Sequence, residues 1–445
     1  MRTRWQQAAR EVCAFSALVM VVSTASGCRA VLDGAASRAM VPEGEVSPAL
    51  LDPGNYRTTP HPFTSKYSNG PTWGDATIGE KWESIRMGEF VTSPWEVDPV
   101  LTVGGAGNAQ GYAGDDAGKK SLFDDWFDGE HSGDVDLKGL VNAFGISSDD
   151  QGKQRSLSNM VLRFTDPAAA AAAAASMSQA AFAKSDNKAL SHTISLPGYL
   201  GSAAVGYTHK NNPNGSDQST DNNVLAFTAD GPYVFYQAVS SSRSMDDATA
   251  LVTKTLDLQG QSIDKYQPIA ADKMGDVLID PSGLLARTLK LANTDERPTD
   301  VGPTVLSYKT WGPHVMPALA RDQVGAEKEY QAAGVDVMVT AGATVVRARD
   351  AAAASNLVEA WVKSASGPLW QTGEDDGGPY SQTVPNMLGS HCQAAADQAP
   401  PDKPAAWRRV RCVFAVDRYA VQLDSNTLKD AQQKSAAQYL MLTAK

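Results

Sequence analysis

The chain has 445 residues, 42% of them hydrophobic and 20% charged, with a formal net charge of −11. That is enough apolar material for two or three globular domains. The acidic balance excludes a body that holds nucleic acid or anionic lipid headgroups by charge.

At the start, Arg2, Arg4 and Arg10 precede an apolar run from Val12 to Val22, then small residues lead to Cys28. The run is shorter than the roughly 20 residues that span a bilayer, and the layout is that of an export signal. The stretch "STASGCRA" resembles a bacterial lipobox, with Ala25 where leucine is usual. The resemblance implies that residues 1–28 are a lipoprotein signal peptide and that Cys28 receives diacylglyceryl and palmitate-type chains. Ordinary secretion is the alternative. Two long acyl chains hold a protein stably on a bilayer. Up to Cys28 the chain carries three arginines and Glu11, so the mature protein would carry −13. Attachment to the extracytoplasmic face of the cell membrane must therefore come from lipid and not from charge. Residues 29–48 are small, polar and proline-bearing, and read as a flexible tether.

From Leu51 the sequence is punctuated by Gly and Pro with scattered aromatics, which predicts short strands and turns and few long helices. The acidic run from Asp115 to Asp136 reads as a solvated loop. Asp124, Asp128 and Gly129 stand at calcium-loop offsets, but Trp126 and Val135 occupy ligand positions, so no metal is expected. Trp73, Trp82, Trp95 and Trp126 concentrate in this region. Large aromatics usually bury area as core; the competing reading makes Trp82 and Trp95 a stacking platform for an envelope glycan or glycolipid.

The middle of the chain is clearer. "NMVLRFTDPAAAAAAAASMSQAAF" predicts a strand from Met160 to Phe164, a capping Asp166, Pro167 in the first turn and an alanine-rich helix to about Ala183. "TVVRARDAAAASNLVEAWVKSASG" repeats the layout, with a strand from Thr344 to Ala348, a capping Asp350 and an apolar face of Leu357, Val358 and Trp361. Each helix is followed by a hairpin, turning at Asp230 and Gly231 or at Asp417 and Arg418. Each hairpin leads into an amphipathic helix, Asp246 to Leu258 or Leu428 to Met441. The first aspartates of the two units stand 64 and 67 positions before the second ones. "LLDPGNYRT" around Leu51 and "LIDPSGLLART" at Leu278 each open a half. The expected architecture is α+β: two related β-α-β-β-α halves, residues 49–268 and 274–445, each a small mixed or antiparallel sheet with helices on one face.

"LLDPGNYRTTP", "IRMGEF", "EVDP" and "AGVDVMV" together resemble a family of actinobacterial cell-envelope lipoproteins known as a domain of unknown function with an N-terminal and a C-terminal part. The resemblance implies an envelope location and a two-part build, and assigns no activity. Of the four cysteines, only Cys392 and Cys412 remain in the body once Cys13 and Cys28 are set aside. One pair in an exported chain reads as a disulfide, with free thiols or a metal site as the alternatives.

The sequence contains no GxSxG, HExxH, P-loop or GxGxxG. "SDNK" at Ser185 satisfies S-x-x-K and S-D-N within one tetrapeptide, which cannot serve both roles. The expectation is a non-catalytic binding or accessory lipoprotein: a sensor, carrier or assembly factor for an envelope component. Its partners would be the membrane through the lipid and an envelope glycolipid, glycan or protein, with no cofactor. The alternative is a hydrolase or transferase acting on cell-wall material. A ligand site is expected at the junction of the halves or beside the aromatic region.

Overall fold

A computed structural model describes residues 46–62, 68, 70–104, 107–126, 135–184, 191–211, 219–290, 309–364, 380–393, 410–425 and 427–444. Cys28, Ser185, Asp128 and Gly129 lie outside them. Residues 46–445 form one compact unit, and no helix among the described residues is long and apolar enough to cross a membrane.

Two antiparallel sheets organise it. The first contains β1 (Leu101–Val103), β2 (Ala109–Ala113), β3 (Leu140–Asp150), β4 (Arg155–Phe164), β5 (His192–Thr193), β6 (Ala203–Asn211), β7 (Ser219–Asp230) and β8 (Tyr233–Ser241). Their order is β1-β3-β4-β8-β7-β6-β5, with β2 also pairing β3. The second contains β9 (Lys309–Trp311), β10 (Val337–Thr340), β11 (Thr344–Arg347), β12 (Tyr380–Gln382), β13 (His391–Gln393), β14 (Val410–Val416) and β15 (Tyr419–Ser425). Their order is β12-β13-β14-β15-β11-β10-β9. Read from opposite ends, the two orders are the same path through the chain.

The helices are α1 (Ala76–Gly88), α2 (Pro94–Val97), α3 (Asp116–Trp126), α4 (Pro167–Lys184), α5 (Met245–Ile263), α6 (Gln323–Ala333), α7 (Ala351–Ser364) and α8 (Leu428–Thr443). The predicted caps are present: Asp166 accepts from the Ala169 N–H at 2.9 Å, and Asp350 from the Ala353 N–H at 2.8 Å. Phe164 N–H donates to the Pro232 carbonyl and Ala348 N–H to the Arg418 carbonyl, both at 2.8 Å. These matched bonds show the duplication and correct its register by one residue. Asp417 corresponds to Gly231, not to Asp230, and both occupy the left-handed region, with φ of +50° and +53°. The two-residue hairpin turn requires that conformation; glycine adopts it freely and aspartate tolerates it.

The α+β class with one antiparallel sheet per half is as expected, but the helices cover both faces of each sheet. On one face of the first sheet, Met160, Leu162, Phe227 and Tyr236 pack with Ala170, Ala173 and Met177 of α4. On the other, Phe144, Val161 and Phe235 pack with Ala248, Val252 and Leu256 of α5. The second sheet carries α7 on one face through Leu357, Val358 and Trp361. It carries α8 on the other through Ala431, Ala437 and Met441.

Three further expectations change. The region after Leu51 contains α1, whose Ile78, Trp82 and Ile85 recur at helical spacing and whose start is capped by Asp75. Half of the acidic run, Asp116–Trp126, is helix α3, in which Asp124 pairs with Lys120. The "LLDP" and "LIDP" openings do not each begin a separate core. Leu51 and Ile279 lie in one cluster with Phe414 and Met441 of the second half, and Trp73, Ile78 and Trp82 join them.

The predicted disulfide links Cys392 to Cys412. These residues are direct partners on β13 and β14, with Cα atoms 4.1 Å apart. That is slightly closer than most bridges and in keeping with facing strand positions.

Helix α1 is set by a close approach. A Cβ on Gly79 would lie 1.7 Å from the Met274 carbonyl oxygen, in the short turn of helix Ala271–Asp276. Backbone cannot yield as a flexible side chain can, so Gly79→Ala should lower stability by about 1–3 kcal/mol, at the upper end of that range. Urea unfolding followed by tryptophan fluorescence measures it, and an unchanged midpoint would contradict the packing described.

Candidate functional site

Trp82 and Trp95 are 7% and 6% exposed and belong to different clusters. Trp82 packs on Trp73 with ring centroids 5.1 Å apart. Burial leaves neither ring a face on which a sugar could stack, which corrects the expectation of a glycan platform. Trp126 is also held internally: its indole donates to the Tyr112 hydroxyl at 2.6 Å, and that hydroxyl donates to Asp125 at 2.9 Å.

Trp95 does stand where a site was expected, at the seam between the halves. Its indole N–H donates to Glu327 of α6 at 3.2 Å. Beside it, Glu89 follows α1 and reaches the Gly312–Val315 turn. Its two carboxylate oxygens accept from the His314 and Val315 N–H groups at 3.0 and 3.1 Å. A Cβ on Gly312 would lie 2.3 Å from the Glu89 carboxyl carbon, so glycine makes room for this contact. Burial pushes the Glu89 carboxyl up from its ordinary range, and the two N–H groups pull against that shift. The His314 ring lies 2.9 Å from the Val91 carbonyl and 3.6 Å from Glu96. The Ser148 hydroxyl of β3 donates to Gln323 of α6 at 2.5 Å. These groups hold two sheets together; their donors and acceptors are spent on one another.

Lys309, the first residue of β9, is the most perturbed cation described. Its ammonium sits 4.8 Å from the centre of the Trp311 ring, and burial, aided by the nearby Lys81, pulls it down to about 8. An amine with that pKa is largely free base in mild alkali and can act as a nucleophile or base there. It was illegible in the sequence, where nothing distinguishes it from a surface lysine.

The shift fixes a pH dependence. Between about pH 8 and the ordinary lysine range the folded state holds fewer protons than the unfolded state, so this group makes stability rise as pH climbs through that window. Lys309→Met should therefore stabilise the protein at pH 7, by at most about 3 kcal/mol. The advantage should shrink toward pH 10, as read by urea unfolding at both values.

An open cavity among the described residues lies elsewhere. A cleft of about 420 Å³ runs along the outer face of α5, lined by Pro197, Asp246, Thr249, Ala250, Thr253, Lys254 and Asp257. The loop between β5 and β6 forms its far wall, where the Tyr199 hydroxyl donates to Asp257 at 2.7 Å. Lys254 is tied down by donating to the Val97 carbonyl. The cleft can hold a polar or cationic group against Asp246 and Asp257. Sequence reasoning missed it because a helix's solvent face looks the same whether or not a loop overhangs it.

Comparison with family models matches residues 71–279 to the N-terminal part of a domain of unknown function, DUF7373, and residues 284–445 to its C-terminal part. The chain belongs to the DUF7373 family. The gap between the two DUF7373 matches falls in a turn, where Gly283 N–H donates to the Asp280 carbonyl at 3.2 Å and Gly283 has φ of +68°. Residues 46–62 precede the first DUF7373 match, yet Leu51 packs with the core of the second. No curated protein matches the chain. Among solved structures, the extracellular domain of PknH from Mycobacterium tuberculosis is similar over 40% of this chain and 96% of its own, at 12% identity and a TM-score of 0.26.

Proposed function

We propose that this DUF7373 protein is a lipoprotein of an actinobacterial cell envelope. It is anchored through acylated Cys28 on the extracytoplasmic face of the cell membrane, and its body binds or assists an envelope component. The observation that carries the reading is the Cys392–Cys412 disulfide inside the second sheet. Such bridges form and persist in oxidising compartments, in agreement with the export-type layout before Cys28. The binding role is supported by the open cleft along α5, whose largely apolar lining carries Asp246 and Asp257 and would recognise a partner by apolar contact together with charge.

Lipid anchoring is tested by fractionation. Cys28→Ala should move the protein from the membrane to the soluble fraction and abolish labelling with a fatty-acid analogue, with the circular dichroism of the body unchanged. A variant that stays in the membrane fraction and keeps its label would overturn the assignment of Cys28.

A further inference from the structure

The duplication extends to a pair of turns, one of them beside the cleft. "SLPGYLGS" (Ser195–Ser202) joins β5 to β6, and "TVPNMLGS" (Thr383–Ser390) joins β12 to β13. In each, a buried residue, Leu196 or Val384, starts a turn with proline second and a left-handed residue third. Gly198 has φ of +83° and Asn386 of +63°. Each turn closes with a backbone bond, Tyr199 N–H to the Leu196 carbonyl at 3.0 Å and Met387 N–H to the Val384 carbonyl at 3.1 Å. This is a type II pattern. Each turn also leans on the helix that ends its half. Tyr199 bonds to Asp257 of α5, and Gln432 of α8 donates to the Thr383 carbonyl.

The two helices begin alike. Ser244 accepts from the Asp247 N–H, and Thr427 from the Asp430 N–H. Position 246 of α5 therefore corresponds to 429 of α8, and 250 to 433.

In the second half this groove is occupied by the chain itself. The Asn386 amide donates to the Leu50 carbonyl at 2.8 Å, and the Gln433 amide to the Asp52 carboxylate at 2.9 Å. Gly54, with φ of +56°, lies so close to Gln433 that a Cβ would meet its amide at 2.8 Å. The Tyr56 hydroxyl donates to Asp430 at 2.5 Å, and Lys434 stands 5.8 Å from the Tyr56 ring centre. Lys429 also attracts Asp52. In the first half the corresponding groove is the open cleft along α5. There Asp246 stands where Lys429 attracts an acidic residue, and Ala250 replaces Gln433, which opens room.

We infer that the cleft along α5 is a binding groove for a short, turn-forming peptide segment of a partner protein, docked as residues 50–56 dock on α8 but with a basic side chain set against Asp246. The inference rests on the binding-protein reading and names its partner class. A second copy of this chain would present Asp52 to Asp246, like charge against like, and is disfavoured by that pairing.

Two fluorescent, end-capped heptapeptides test the inference by anisotropy with the full-length protein in detergent. One is LLDPGNY, the sequence of residues 50–56, and the other carries Asp52→Lys. The lysine peptide should bind about two- to fivefold more tightly, the worth of one partly exposed ion pair. Asp246→Lys in the protein should reverse the order, and Ala250→Trp should abolish binding of both peptides. Thr253→Trp serves the same purpose if Ala250→Trp does not fold. Absence of binding, binding that survives the tryptophan variants, or preference of the unmodified protein for the aspartate peptide would overturn the inference, the last pointing to a second copy. Loss of anchoring at Cys28 would leave the groove standing, so the two readings fail separately.

Discussion

The structure depends on a single apolar cluster to which both sheets contribute. Phe144, Val161, Phe235 and Leu251 come from the first half, and Trp311, Met316, Met338 and Trp361 from the second. Burying aromatic and branched side chains at roughly 25 cal/mol per Å² is the dominant favourable contribution to such a body. Because neither half owns the cluster, neither can expose it without loss. Glu89 and Gln323 are the polar consequence: each carries the hydrogen bonding of one half into the other at the rim of the shared core. Segment 50–56 and the start of α1 go further and cross over to pack on the second half.

The duplicated parts show which features the fold requires. The capping aspartates, the left-handed hairpin residue and the proline turns recur because each satisfies backbone geometry or backbone hydrogen bonds. Divergence is concentrated on surfaces that backbone geometry does not constrain. The first half carries β2 and α3 beside β3, and its cleft along α5 is open where the second half is filled. Leu200 and Leu388, at the same place in the two proline turns, are 93% and 66% exposed, and the fold does not explain either.

Much of the architecture was legible in the sequence, and the misses share a cause. The α4 and α7 units were readable because cap, proline and alanine signals are local. Cys392 and Cys412 were readable because simple counting left one pair. Helix α1 carried a helical pattern in Ile78, Trp82 and Ile85, but Gly and Pro on either side drew the reading toward turns. The seam was not readable: Glu89 meets the Gly312–Val315 turn more than 200 positions away, and no local pattern marks either partner. The depressed Lys309 and the cleft along α5 are likewise products of tertiary placement. Trp82 and Trp95 illustrate the converse, since aromatic composition alone cannot separate a core residue from a stacking platform, and burial decided it.

The shared core makes a direct thermodynamic claim, that residues 46–445 unfold as one unit although the sequence is a duplication. Differential scanning calorimetry of the intact protein tests it most directly. A single transition is expected, with calorimetric and van't Hoff enthalpies that agree. Two separable transitions, with Glu89→Ala shifting only one of them, would mean that the halves own independent cores and would contradict the account.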